Sequence, residues 1–164
     1  MSRTKTLQER LQQYPTHKAM YLFEKSTYNR NTRINNRTKQ ILNKEGFSYL
    51  ITLTLTDESI EKISLPYLFR KVKEAMRTAS LYIANEDYGS ERGRLHFHVL
   101  ASFNEQLDYT KTNPIGQVWK YGGIDYQPIH TKNDKALSKY LTKLTNHAIK
   151  DTAKKIIFSR GFEV

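Results

Sequence analysis

The segment RLHFHVLASF, residues 94–103, has the residue alternation of a strand. Successive side chains of a strand point to opposite faces of a sheet. One face of this strand therefore carries four apolar residues: Leu95, Phe97, Val99 and Ala101. The other face carries His96 and His98 as stacked neighbours. The pattern predicts a strand with one buried face and an imidazole pair on the opposite face.

Further patterns predict a sheet of about five mainly antiparallel strands with flanking helices, which is the α+β class. Strands are predicted over residues 47–56, 80–88, 94–103, 122–130 and 154–162. The turn segment 89–93 joins two of them as a hairpin, and Pro128 confines the fourth to an edge or an end. Helices are predicted over residues 4–14, 64–79 and 133–150, and a loop followed by a helix over residues 29–46.

The charge of the chain favours a polyanionic partner. The 164 residues carry a net charge of +11, with +7 in residues 1–45 and +5 in residues 131–164. Nucleic acid is the usual partner for such an excess, and solvated surface lysine is the alternative. There is no cysteine to form disulfides, and no apolar run reaches the roughly 18 residues of a membrane span. We therefore expect a cytoplasmic protein with no membrane partner.

The strand predicted over residues 80–88 supplies a carboxylate next to the histidines. Its large apolar residues are expected to face the core: Leu81 and Ile83. Parity then places Glu86 with His96 and His98 and directs Asp87 toward the core, unless a bulge or the end of the strand reverses this. Two imidazoles and one carboxylate form a three-ligand site whose nitrogen and oxygen atoms suit Mn²⁺ or Mg²⁺. The alternative for the histidines is an ordinary surface pair.

The helix predicted over residues 133–150 adds a hydroxyl group and a cation. Its apolar stripe is expected to pack on the sheet: Leu137, Leu141, Leu144 and Ala148. Tyr140 lies at the edge of this stripe, and Lys143 and His147 follow on the same flank of the helix. The alternatives are a half-buried core tyrosine and a solvated helix lysine.

The order of these motifs resembles the HUH endonucleases, and within them the rolling-circle replication initiators of small phages, plasmids and single-stranded DNA viruses. The segment YLITLTLT resembles the first family motif, and RLHFHVL resembles the second, with a histidine on either side of Phe97. KYLTK resembles the third motif, Tyr-x-x-Lys, through Tyr140 and Lys143. WKYGGIDYQPI and FSRGF resemble looser segments around the third motif. The resemblance covers residues 47–162.

The resemblance implies an HUH endonuclease domain over residues 47–164, with a sheet of the RRM/ferredoxin-like palm type. Residues 1–46 then form a basic helical N-terminal extension. The implied activity is that of a metal-dependent DNA nickase and strand transferase acting on single-stranded or hairpin origin DNA. Host helicase and polymerase are candidate partners. Since no G-x-x-x-x-G-K-[ST] sequence occurs, we expect no fused helicase.

The resemblance also implies a role for each site residue. Tyr140 attacks the phosphodiester, which leaves a 5′-phosphotyrosyl link and a free 3′-hydroxyl, and the strand is later rejoined. A divalent cofactor, Mn²⁺ or Mg²⁺, is held by Glu86, His96 and His98 and polarises the phosphate. Lys143 neutralises developing charge. Contacts with DNA are expected from six further residues: Thr52, Thr54, Arg92, Arg94, Lys139 and His147.

One departure from the family pattern bears on the reaction cycle. Leu144 stands one helical turn after Tyr140, where two-tyrosine initiators carry a second tyrosine, so a single-tyrosine cycle fits better. Two alternatives remain, a single-tyrosine HUH transposase and a basic nucleic-acid-binding module without catalysis. Lys143 and the closing segment SRGF favour the initiator.

Overall fold

The computed structural model describes residues 7–88, 94–110, 112–130 and 156–163. This part of the chain contains five strands: β1 (Phe47–Thr54), β2 (Leu81–Tyr88), β3 (Leu95–Phe103), β4 (Ile124–Pro128) and β5 (Ile156–Phe158). It also contains five helices: α1 (Leu7–Leu11), α2 (Thr16–Asn43), α3 (Asp57–Lys62), α4 (Leu65–Ala75) and α5 (Pro114–Val118). The strands form one antiparallel sheet in the order β4-β1-β3-β2-β5. This arrangement confirms the predicted α+β class, with a palm-like sheet and flanking helices.

The register of the central strands decides which side chains share a face of the sheet. β1 and β3 pair along their length, so that Ile51 lies opposite Val99 and Thr52 lies opposite His98. Residues directly opposite one another point to the same face. One face, here called the apolar face, carries the larger core together with α4 and α5: Tyr49, Ile51, Leu53, Leu68, Phe69, Val72, Phe97, Val99, Ala101 and Ile115.

The other face, here called the site face, carries the histidines. A row of paired residues crosses it from one edge of the sheet to the other: Asp125, Thr52, His98, Asn85 and Ile156. A second apolar cluster lies on this face under the end of α2: Ile41, Leu42, Leu81, Ile83 and Leu100. Leu100 is the neighbour of His98 on this face of β3. The site face is therefore divided into an apolar end under α2 and a polar end at the histidines.

The N-terminal region forms a longer helix than the sequence predicted. α2 is continuous from Thr16 to Asn43, whereas a loop followed by a helix was expected over residues 29–46 and no element was expected over residues 15–28. This segment contains no glycine or proline, the two residues that most strongly destabilise a helix, so the helix continues through it. Gly46 lies in the turn to β1 with a φ of 111°, and a Cβ at this position would collide with the carbonyl oxygen of Phe103.

The boundary expected at residue 46 stays a prediction. The last turn of α2 contributes Ile41 and Leu42 to the second apolar cluster. The hydroxyl of Ser48 at the start of β1 donates to the carbonyl oxygen of Ile41 at 3.4 Å. The end of α2 thus packs directly on the sheet that follows it.

Candidate metal centre

Three side chains that can hold a metal ion converge at the polar end of the site face. They are Asp87 on β2 and His96 and His98 on β3, and their ligand atoms all lie within 4.8 Å of one another. The two Nε2 atoms are 2.9 Å apart, and Oδ2 of Asp87 lies 3.7 Å from one and 3.8 Å from the other. The register explains this cluster, because Asp87 pairs with His96 across the two strands.

Hydrogen bonds hold both imidazoles with Nε2 directed into the cluster. Nδ1 of His96 donates to the carbonyl oxygen of Arg94 at 3.0 Å, since a carbonyl oxygen can only accept. Nδ1 of His98 lies 3.3 Å from Oγ1 of Thr52, whose hydroxyl can accept its hydrogen. A neutral imidazole with its hydrogen on Nδ1 carries the lone pair on Nε2, and metal-binding histidines are held in this way. Thr52, expected as a DNA contact, is thus placed to orient His98.

The surroundings of His98 keep its imidazole uncharged. Burial and the neighbouring His96 lower the pKa of His98 to about 4, and the carboxylate of Asp87 offsets only part of this shift. Near pH 7 the ring is therefore neutral, and its nitrogen lone pair is available to a cation.

The donor set and its spacing fit a divalent ion. Imidazole nitrogen and carboxylate oxygen bind such ions at about 2.0–2.2 Å, so donors that share one ion lie at most about 4.4 Å apart. The three donor separations of 2.9, 3.7 and 3.8 Å are within this limit. Nitrogen and oxygen donors without sulfur are common ligands of first-row divalent metals. The chain therefore carries a triad able to bind a divalent metal.

The carboxylate of this triad is Asp87, which corrects the prediction of Glu86. Glu86 pairs with Phe97, so its side chain points to the apolar face, where it is 2% exposed. The prediction assumed that Leu81 and Ile83 face the larger core. They pack under α2 on the site face instead, and the assumed parity of the whole strand is therefore reversed.

The sequence contains a signal that would have identified Asp87. β2 is buried at every position from Leu81 to Glu86, so its own alternation does not reveal which face is which. The apolar residues near the end of α2 require a sheet surface of their own to cover. Leu100, which follows His98 on the same face of its strand, marks that surface. Together, these two observations place the large apolar residues of β2 on the site face.

Two other residues expected to contact DNA are engaged within the protein. Thr54 lies opposite His96, but its hydroxyl accepts from the backbone N–H of Gly123 at 2.9 Å and donates to the carbonyl oxygen of the same residue at 3.2 Å. The guanidinium of Arg94 bonds both carboxylate oxygens of Asp57, at 2.6 and 2.7 Å. This exposed ion pair ties the start of β3 to α3. DNA binding by either residue stays a prediction.

The expected nucleophile and four other expected site residues lie outside the described residues: Tyr140, Lys143, Arg92, Lys139 and His147. The helix predicted over residues 133–150 lies there as well. Their roles stay predictions. Of the three expected metal ligands, the structure brings together His96 and His98 and leaves Glu86 apart.

Comparison with protein families identifies one match. The model of a family described as replication-associated protein ORF2 matches residues 48–145, more than half of the chain, and the matched segment includes the whole triad. No curated protein and no solved structure matches the chain. Within the described residues, no helix combines the length and apolar character needed to cross a membrane. The chain belongs to the replication-associated protein ORF2 family.

Proposed function

We propose that this protein initiates rolling-circle replication by nicking single-stranded origin DNA as an HUH endonuclease. Membership in a family of replication-associated proteins supports a role in replication and contact with DNA. The observation that carries the nicking activity is the triad of Asp87, His96 and His98 at the polar end of the site face. Triads of this kind can serve phosphodiester chemistry, and the net charge of +11 favours a phosphate backbone as the substrate.

In this proposal Asp87, His96 and His98 hold the metal, which we take to be Mn²⁺ or Mg²⁺. Such an ion, when bound, supplies polarisation of a phosphate oxygen and neutralisation of its charge. The protein itself holds the imidazole donors in place. The carbonyl of Arg94 and the hydroxyl of Thr52 hold the two imidazoles, and the low pKa of His98 keeps that ring unprotonated.

The proposed nucleophile is the hydroxyl oxygen of Tyr140. A bond forms between this oxygen and phosphorus while the bond from phosphorus to the 3′ oxygen breaks, and the phenolic proton ends on the 3′ oxygen. The products are a 5′-phosphotyrosyl link and a free 3′-hydroxyl. Lys143 is proposed to neutralise charge on the phosphate. Attack of a 3′-hydroxyl on the phosphotyrosyl link reverses the bond exchange and rejoins the strand.

Three further cationic or imidazole side chains are proposed to contact the strand near the cleaved bond. Arg92 precedes β3 in the sequence. Lys139 directly precedes Tyr140, and His147 follows it by seven residues. Host helicase and polymerase, in the host cytoplasm, are the proposed protein partners.

The test is the formation of a covalent adduct between the protein and single-stranded DNA. A fluorescent pool of hairpin oligonucleotides with randomised loops is incubated with the protein and Mn²⁺, and adducts are separated on a denaturing gel and sequenced. We expect an adduct with the wild-type protein and none with Tyr140→Phe or after chelation. Tyr28→Phe is the matched control, because this tyrosine of α2 is 71% exposed and lies outside the triad.

Three results would contradict the proposal. Binding of the pool by the wild-type protein without any adduct would identify a DNA-binding module that does not cleave. An adduct that persists in Tyr140→Phe would assign the nucleophile to another residue. An adduct whose yield is unchanged by chelation would remove the metal from the reaction.

A further inference from the structure

A cationic cavity lies between α2 and β5, outside the metal triad. It has a volume of about 590 Å³. Lys25, Arg30 and Arg33 of the helix line one side of it. Ile156 and Phe158 of the edge strand line the other. The cavity therefore combines a positively charged wall with an apolar wall.

A second cavity of about 310 Å³ continues the first along the helix. Asn29 and Arg33 line both cavities, and the two together are here called the α2–β5 groove. In its second part the guanidinium of Arg37 lies over two aromatic rings, 4.1 Å from the centroid of Phe158 and 5.2 Å from that of Phe162. These cation–π contacts hold one positive charge at the groove.

The groove carries more positive charge than its own residues neutralise. Arg33 and Arg37 are one helical turn apart, and neither has a carboxylate within ion-pair distance among the described residues. Burial and the charge of Arg33 lower the pKa of Arg37, which shows that the two cations act on each other. Glu163 lines the groove, and its backbone bonds to the side chain of Gln40. Along the whole of α2, six lysine and arginine residues accompany a single glutamate.

The groove opens on the same face of the sheet as the triad. Ile156 pairs with Asn85, which pairs with His98, and all three belong to the row that crosses the site face. Neighbouring strands are about 4.8 Å apart, so Ile156 lies about 10 Å from His98. From Lys25 to Arg37 the helix is about 18 Å long. The triad and the groove together can therefore follow several nucleotides of one strand.

We infer that the α2–β5 groove binds the single-stranded DNA that adjoins the cleaved phosphate. The inference rests on the proposed function, which supplies the substrate. A flexible single strand can bend into the groove and place its phosphates against Lys25, Arg33 and Arg37. A base of the strand can lie against Phe158. A duplex is too stiff to follow a groove between a helix and a sheet edge.

The test compares two double variants that remove the same charge. Lys25→Gln/Arg33→Gln changes the groove, and Lys39→Gln/Lys44→Gln changes two exposed lysines of the same region that do not line it. Arg37 is kept because it packs on the phenylalanines. Binding of a fluorescent oligothymidine of about 20 nucleotides is measured by anisotropy, with chelator present and over a series of salt concentrations. Thermal unfolding confirms that both variants fold.

We expect the groove variant to bind on the order of tenfold more weakly at moderate salt, and the control variant less than about twofold. The salt dependence of binding should fall by about 1.4 in log–log slope for the groove variant, because each lost phosphate contact with a single strand contributes about 0.7. Equal losses in the two variants would overturn the inference, since they would reflect total charge alone. Tighter binding of a duplex of the same length would also overturn it.

The same proteins separate this inference from the proposed function. With Mn²⁺ and saturating DNA, the groove variant should still form the covalent adduct, and Tyr140→Phe should bind the strand normally without forming it. If no protein forms an adduct but the groove variant still binds the oligonucleotide more weakly than the control variant, the proposed function is contradicted. The inference about the groove is then still supported. Normal adduct formation with no binding difference would contradict the groove alone.

Discussion

The two faces of the sheet differ in where their apolar cover ends. On the apolar face, buried side chains extend along the whole of β3, and Phe97 lies in edge contact with Phe69 and Trp119. On the site face, the cluster under α2 ends at Leu100, and the next positions of the strand toward its start hold His98 and then His96. Neighbouring residues of one strand therefore pack in the core on one face and belong to the candidate metal triad on the other.

From this contrast we expect that substitutions can change the stability of the fold and its metal binding separately. Burial on the apolar face supplies packing that does not involve the triad. At the polar end of the site face, hydrogen bonds to a carbonyl and a hydroxyl hold the two imidazoles. Substitutions on the two faces should consequently affect different measurements.

The largest expected effect is on the apolar face. Phe97→Ala should lower the free energy of unfolding by about 3–5 kcal/mol, because it removes a fully buried ring from the core. His96→Ala, one residue earlier on the opposite face, should lower it by less than about 1 kcal/mol. Urea denaturation measures both values. Equal losses of unfolding free energy in the two variants would mean that the two faces contribute equally to stability.

The next effect concerns the choice between two adjacent carboxylates. Asp87→Asn should weaken Mn²⁺ binding on the order of 100-fold, because it removes a ligand of the triad. Glu86→Gln should leave the affinity within about threefold, since this side chain points to the apolar face. Isothermal titration calorimetry measures both. The reverse ranking would restore Glu86 as the ligand.

A smaller effect is expected from the hydroxyl that orients His98. Thr52→Val keeps the shape of the side chain but removes the partner of Nδ1, and should weaken Mn²⁺ binding by about tenfold. Thr54→Val is the matched control, because that hydroxyl bonds to Gly123 and not to an imidazole. If both variants bind Mn²⁺ with the affinity of the wild-type protein, Thr52 does not position the ring.

The smallest effect is expected at the covered end of the site face. The hydroxyl of Ser102 is fully buried and has no hydrogen-bond partner among the described residues. Ser102→Ala should therefore leave the free energy of unfolding unchanged within about 0.5 kcal/mol, or raise it, because no bond is lost and a buried polar group is removed. A loss above about 1 kcal/mol in thermal or chemical unfolding would show that the hydroxyl is bonded.

The sequence predicted the sheet and the histidine pair because alternation in β1 and β3 is regular. It did not predict the partner carboxylate, because β2 is buried on both faces and its parity depends on a helix far away in the sequence. It predicted no element for residues 16–28 of α2, where no glycine or proline stops the helix. Tertiary packing decides the parity of β2. The positions of Tyr140 and Lys143 relative to the triad stay predictions.

One wall of the α2–β5 groove comes from each end of the described chain. Gln40 and Glu163, which bond to each other across it, are 123 residues apart. Translation produces Asp87, His96 and His98 well before Ile156 and the two phenylalanines that follow it. A nascent chain that has reached residue 98 but not residue 156 would thus carry the triad without the second wall of the α2–β5 groove.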